Sequence, residues 1–354
     1  MYKSGYSVLL LTIIISTVGV ALAINSLVQS TQISKTSINS TDAEVDKSKA
    51  SSCVDKVLTR LRAYKFYGGD ETFSDGCRVY TISGVGNDTR IIQTRVNSII
   101  LETKINQINP KVVIEYQKQI TLSEIDQNNP YLIDPLALRL WLKADRAEVN
   151  NEQPVFSIKN STDDLVDFIQ PQSQSNLAPK LYVNILKNRP ILRFDGVNDF
   201  LVGTKTSIHT NNGLSIIVVG RTSDTSNNDQ TYISKFNTVD KEWRLQNDEF
   251  NIVSDTLILN DANNNTTNFK LITALWGATS PQLSMSINNN VASTSTGASN
   301  INTSTEPIIL GSNSQATTSF LNGDIAEILV YNKKLSDNEL NKIKVYFNTK
   351  YNLY

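Results

Sequence analysis

The chain has 354 residues and a formal net charge of −1, long enough for a membrane segment plus two modest domains and too near neutral for a nucleic-acid footprint or a polybasic membrane patch. Only 19% of residues are charged, and the polar remainder is rich in Asn, Ser and Thr, which suits short strands joined by polar turns more than helical bundles. The single histidine, His209, lies in a polar turn, so Ser-His-Asp, Cys-His and multi-His metal chemistries are close to excluded.

The first predicted element is the uncharged run Tyr6 to Leu27, preceded by Lys3 and Ser4-Gly5. About 20 apolar residues at 1.5 Å rise span roughly the 30 Å of a hydrocarbon core, and the run has no polar face to suit a soluble helix. A retained transmembrane helix over residues 1–30 is the expectation. A cleaved secretory signal, with Ala21-Leu22-Ala23 as the A-x-A site, stays open. Under both readings the later chain is exported, because the lone Lys3 favours the inside.

Residues 31–122 are expected to form a small α+β domain. Thr41 to Glu44 has capping-box spacing, and Val54, Val57, Leu58 and Leu61 then recur at i, i+3, i+4 and i+7 until Gly68-Gly69 stops the helix. Beyond the glycines the period becomes two. Cys77–Ile82, Arg90–Val96, Ser98–Thr103 and Val112–Tyr116 read as four antiparallel strands. Cys53 and Cys77 are the only cysteines, and an even pair in an exported chain reads as a disulfide. Two thiolates without nearby His cannot build a zinc site. Such a bridge is worth about 3–4 kcal/mol in loop-closure entropy.

The apolar helix behind a Lys-Ser-Gly leader, the polar spacer, Cys53-Val-Asp-Lys-Val-Leu58 and Tyr67-Gly-Gly before Cys77-Arg-Val-Tyr80 together resemble PilX/type IV pilin-like proteins. The resemblance covers roughly residues 1 to 120. It implies prepilin cleavage after Gly5 and packing of the mature helix with other pilins or in the inner membrane. The family's fifth mature residue is usually Glu, whereas Leu10 stands here, which favours membrane residence over filament assembly.

Asn128-Asn-Pro130 and Asp134-Pro135 mark residues 123–137 as a linker. From 138 to 354 many short strands, including Leu138–Leu142, Pro190–Phe194, Leu214–Val219, Thr231–Ser234, Trp243–Leu245, Phe269–Leu275, Leu283–Ile287, Pro307–Leu310 and Gly323–Tyr331, alternate with Asn-rich turns. That pattern predicts a two-sheet antiparallel β-sandwich or jelly roll. The Ser336/Glu339 capping box opens a last helix, with Leu340, Ile343, Phe347 and Tyr351 on the face that docks on it. The fold class expected is therefore mainly β. Leu140-Trp-Leu-Lys-Ala-Asp145, Arg189 to Leu201 and Gly323 to Asn332 resemble the concanavalin A-like/laminin G-like (LamG) family. That implies a jelly roll and no particular ligand, because the fold hosts lectins, adhesins, hydrolases and spacers. The family's Trp-x-Asp-x-Ser-Gly turn is replaced by Phe156 to Asp164.

Paired carboxylates of the sandwich-glycosidase kind are lacking, and Glu242, Asp248 and Glu249 are scattered. Asp195, Asn198 and Asp199 gather hard oxygen donors in one turn and are candidates for Ca²⁺ or a glycan, with an ordinary Asx turn as the plainer reading. Asp324 and Glu327 are further ligand or calcium candidates, with packing and hydrogen bonding beside that role. Trp243, Trp276 and Tyr232 read as core aromatics or as sugar-stacking rings. The function expected is a membrane-anchored, extracytoplasmic cell-surface protein that displays its sandwich for adhesion to a glycan or surface protein, and not an enzyme. A structural minor pilin that primes or caps a filament is the alternative, and an exported carbohydrate-active enzyme the third.

Overall fold

The computed structural model describes residues 45–108, 111–162, 167–204, 208, 213–224, 229–236, 241–247, 249–252, 257–260, 267–296, 305–313 and 316–354. Gly5, the apolar run Tyr6–Leu27, the Thr41–Glu44 box, His209 and Asp248 lie outside the described residues. Among the described residues no helix is long and apolar enough to cross a membrane.

Helix α1 (45–63) packs on a five-stranded antiparallel sheet of β1 (Gly69–Thr72), β2 (Arg78–Thr81), β3 (Arg90–Val96), β4 (Ile99–Gln107) and β5 (Val113–Ile120), paired in sequence order. The predicted stripe Val54, Val57, Leu58 and Leu61 is buried against Val79, Ile92, Leu101 and Ile105 of one sheet face. Cys53 and Cys77 form a disulfide, with Cα atoms 5.9 Å apart. Four strands were expected and β1 is the fifth. Its sequence Gly69-Asp-Glu-Thr72 reads as a turn, and its first two residues have positive φ (76° and 58°). What holds it in the sheet is its pairing with β2 and the ion pairs of Asp70 with Lys143 and Glu71 with Arg146.

The stretch expected as a linker is packed. Helix α2 (Pro130–Ile133) is capped by the Asn129 side chain, which accepts from Tyr131 N at 3.0 Å. Tyr131, Ile133 and Ala137 then join the cluster beneath the last helix.

The remaining strands are β6 (Leu138–Lys143), β7 (Ser157–Ile158), β8 (Phe168–Ile169), β9 (Lys180–Leu186), β10 (Arg189–Asp195), β11 (Leu201–Gly203), β12 (Gly213–Thr222), β13 (Thr231–Phe236), β14 (Lys241–Gln246), β15 (Glu249–Ile252), β16 (Leu257–Asn260), β17 (Lys270–Gly277), β18 (Leu283–Ile287), β19 (Ser293–Ser295), β20 (Ile309–Leu310) and β21 (Asn322–Tyr331). They form two eight-stranded sheets, one ordered β19-β18-β17-β12-β21-β10-β9 with β6 also on β21, the other β16-β15-β14-β13-β20-β11-β8-β7. The predicted β-sandwich is thus present, with every described ladder antiparallel. Trp243, Trp276 and Tyr232 are fully buried in the core shared by both sheets, so these rings are unavailable for sugar stacking.

The outer face of the first sheet is covered by α3 (Asp337–Tyr351), whose Ser336/Glu339 capping box forms as expected. Ile343, Tyr346, Phe347 and Tyr351 pack there on Trp141, Leu329 and Tyr331. A bulge in β21 shapes this face: Val219 pairs with Glu327 but Gly220 with Ile325, leaving Ala326 as the extra residue. Glu327 faces α3 together with Leu329 and Tyr331, and the bulge puts Ala326 on that face too while Ile325 enters the core between the sheets.

Candidate functional site

Strands β9 and β10 form a hairpin through Lys187 and Asn188, both at positive φ (48° and 59°). This is the type I′ geometry that matches strand twist. The hairpin brings Tyr182 beside Arg193. The guanidinium of Arg193 lies 4.4 Å from the Tyr182 ring centroid, and its Nε and Nη2 donate to Asp324 at 2.7 and 3.0 Å. Arg221 Nε donates to Oδ2 of the same carboxylate at 2.7 Å, sharing that oxygen with Arg193 Nη2. Asp324 is fully buried; it keeps Arg193 more firmly protonated than usual, against a smaller opposing effect of burial.

The turn after β10 closes the end of this surface. Asp195 Oδ1 accepts from Val197 N (2.8 Å) and Asn198 N (3.2 Å), and Asp199 Oδ2 accepts from Asp195 N (3.0 Å). Gly196 is required at φ +78°, where a Cβ would stand 2.6 Å from the Asn322 side chain. Burial and then the Asp195 charge push the Asp199 carboxyl up to about 7.

The result is a cleft of about 450 Å³ bordered by Tyr182, Arg193, Asn198, Asp199, Ser223 and Asn322. The structure therefore brings the predicted Asp195, Asn198 and Asp199 together at one end of the cleft, and places Asp324 beneath its Arg193 wall. Glu327 is not part of it. That carboxylate is enclosed under α3, accepting from Trp141 Nε1 (2.6 Å), Tyr351 Oη (2.7 Å) and Lys350 Nζ (2.7 Å).

One oxygen each of Asp195 and Asp199 accepts backbone N–H groups, and Asn198 Oδ1 is buried without a partner. The side-chain oxygens left in this turn are fewer than the six to eight a Ca²⁺ ion takes. Among the described residues no group of three or more His, Cys, Asp or Glu side chains could hold a metal. Glu242 is buried against Lys235, and Glu249 pairs with Arg244 at 3.3 Å. The cleft offers amide and hydroxyl groups, the Tyr182 ring, the Arg193 guanidinium, the Lys180 side chain and the carboxyls of Asp195 and Asp199.

Tyr182, Ser223 and Asn322 were not anticipated. For Tyr182 a signal existed: the alternation Leu181, Val183, Ile185 before Lys187-Asn188 marks a hairpin strand. Ser223 and Asn322 arrive from β12 and β21, and no local spacing ties them to the turn.

No protein-family profile matches the sequence, and no curated protein matches it. Among solved structures, the chain is similar to the receptor-binding domain of botulinum neurotoxin C/D mosaic serotype, at 12% identity over 60% of this chain and 52% of that one, with a TM-score of 0.38. The binding domain of Paraclostridial Mosquitocidal Protein 1 aligns at 12% identity over 61% and 53%, with a TM-score of 0.42. The chain spans about half the length of the structures it matches, and at these TM-scores the likeness carries no argument about its ligand.

Proposed function

We propose that this chain is a membrane-anchored, extracytoplasmic display protein whose sandwich binds a glycan or surface protein through the Tyr182–Arg193 cleft. The observation that carries the reading is the chemistry of the cleft. The Tyr182 ring, stacked on the fixed guanidinium of Arg193, and the amides of Asn198 and Asn322 border one open surface, which suits packing against and hydrogen bonding to a polyhydroxylated ligand. The Cys53–Cys77 disulfide supports residence in an oxidising compartment, and the run Tyr6–Leu27 supports the anchor.

The test is a glycan and cell-surface binding panel with the full chain, alongside Tyr182→Ala and Asn322→Ala. Binding by the wild type that falls about tenfold in each variant is expected from the loss of one packing or hydrogen-bonding contact. A wild type silent on the whole panel would remove the reading.

The filament-associated alternative is favoured by one observation, the packing of α1 on the five-stranded sheet. N-terminal sequencing of membrane-extracted protein tests it. A mature chain starting at Tyr6 supports prepilin processing, and an intact Met1 counts against it.

A further inference from the structure

A second cleft, of about 470 Å³, lies between the N-terminal sheet and α3, lined by the buried Ile82 and Tyr346, the half-buried Ile91 and the polar groups of Ser83, Gln93 and Thr349. Arg189, the first residue of β10, lines it from the sandwich side. Among the described residues its guanidinium makes no hydrogen bond and no ion pair. It lies 6.0 Å from the Tyr351 ring centroid, and its Nη1 is shut off from solvent without a partner.

The charges around Arg189 are mixed. Arg90, held by the carbonyl oxygens of Gly84, Thr89 and Lys65, has its pKa lowered to about 10, chiefly by burial, with the Arg189 charge adding to that and Asp88 opposing it. Lys350 is lowered as well, by burial first, with Lys143 and Arg189 working against the pull of Glu327. Two carboxylates border the cleft, one paired with a cation and one held by neutral donors, and neither pairs with Arg189. Glu102 accepts from Gln93 (2.9 Å) and Tyr116 (3.0 Å) and pairs with Lys118 at 3.2 Å. Asp126 accepts from the backbone and side-chain nitrogens of Asn128 at 2.9 and 3.0 Å.

A guanidinium partly withdrawn from water with no counter-ion is unfavourable by itself. Its planar fork complements an oxyanion better than any neutral group. We propose that this cleft binds a small oxyanion-bearing ligand, either an acidic sugar or a free inorganic anion, with Arg189 as the anchoring residue. The site is separate from the Tyr182–Arg193 cleft, and the two proposals stand or fall independently.

Calorimetric titration of the full chain in detergent at low salt tests this, with sodium glucuronate, sodium sulfate and neutral glucose as probes. Binding of glucuronate or sulfate is expected, weakened at least about tenfold in Arg189→Gln by loss of charge-assisted hydrogen bonds. Thr349→Glu, at an exposed position of α3, should weaken it similarly by bringing a carboxylate to the cleft without disturbing the core. Glucuronate binding tighter than sulfate assigns an acidic sugar, and equal binding assigns the free oxyanion. The proposal is overturned if neither anion binds, if glucose binds as well as glucuronate, or if both variants bind like the wild type.

Discussion

Asp199 is buried beneath its own turn, and its carboxyl titrates near 7 instead of 3.8, because burial and the neighbouring Asp195 charge both disfavour the anion. Between about pH 4 and 7 the folded chain therefore holds a proton that the unfolded chain releases, so stability falls as pH rises through that window. Asp199→Asn keeps an oxygen to accept from Asp195 N and removes the charge. The variant should match the wild type near pH 4 and exceed it at pH 8 by about 1–2 kcal/mol, less than the full displacement implies because water at the cleft screens the group. Urea unfolding at the two pH values reads this directly. Glu327 presents the opposite case, a carboxylate every neighbour depends on. Glu327→Gln leaves the Lys350 ammonium enclosed without its counter-ion, a loss of about 3–5 kcal/mol. Removing both charges in Glu327→Gln/Lys350→Met should recover part of that loss. A double variant no more stable than the single one would mean the Trp141 and Tyr351 hydrogen bonds, not the charge pair, set the penalty.

At the scale of elements, α3 shows how a short local signal translates into a docked helix. Ser336 Oγ accepts from Glu339 N while the Glu339 carboxylate accepts from Ser336 N at 2.9 Å, satisfying donors the first turn leaves open. Ser336→Ala should cost about 1 kcal/mol, visible as a lower thermal midpoint with an unchanged sandwich core. Elements of this kind were legible from the sequence, as were α1 and the long apolar strands β12 and β21, because periodicity and capping act within a few residues. The strands β7, β8, β11 and β19 were not, since two or three residues hold too little pattern to distinguish a strand from a turn. Nor was β1, whose Asp70 and Glu71 look like surface acids until Lys143 and Arg146, over 70 residues later, come to meet them. The candidate site divides the same way. Asp195 to Asp199 could be read as one oxygen-rich turn, but that its oxygens cap the local backbone, and that Tyr182, Ser223 and Asn322 complete the cleft, follows from strand order alone.

At the scale of the whole molecule, the N-terminal sheet is joined to the sandwich by charge buried at the contact. Lys143 of β6 donates to Asp70 at 2.8 Å and to the Gly69 carbonyl at 2.9 Å. Arg146 donates to Glu71 at 2.6 Å, and Arg78 reaches the Ser161 carbonyl at 3.2 Å. Burial by itself would raise the Asp70 pKa, yet Lys143, with smaller help from Lys350 and Arg78, brings it below the usual value. By linkage, this contribution to stability is complete above the unfolded carboxylate range and disappears as pH falls through the depressed folded value, so the junction should loosen only below about pH 4. Lys143 and Asp70 are both almost completely enclosed, with side-chain exposures of 1% and 0%. Truncating one partner therefore strands the other where water cannot reach it. In Lys143→Met the Asp70 carboxylate keeps only the neutral donors Thr81 and Asn129, and the expected loss is about 3–5 kcal/mol. That loss falls at the contact and leaves the sandwich core and the α1 face intact. Calorimetry should accordingly show a single transition for the wild type and two for Lys143→Met, the N-terminal sheet melting first. Asp70→Asn/Lys143→Met removes both charges of that pair, so that only Asp145, 3.7 Å from the Lys143 ammonium in the wild type, is left without it, and should bring the two transitions closer together. If Lys143→Met still unfolds in one step at an unchanged midpoint, the buried pair does not couple the two parts.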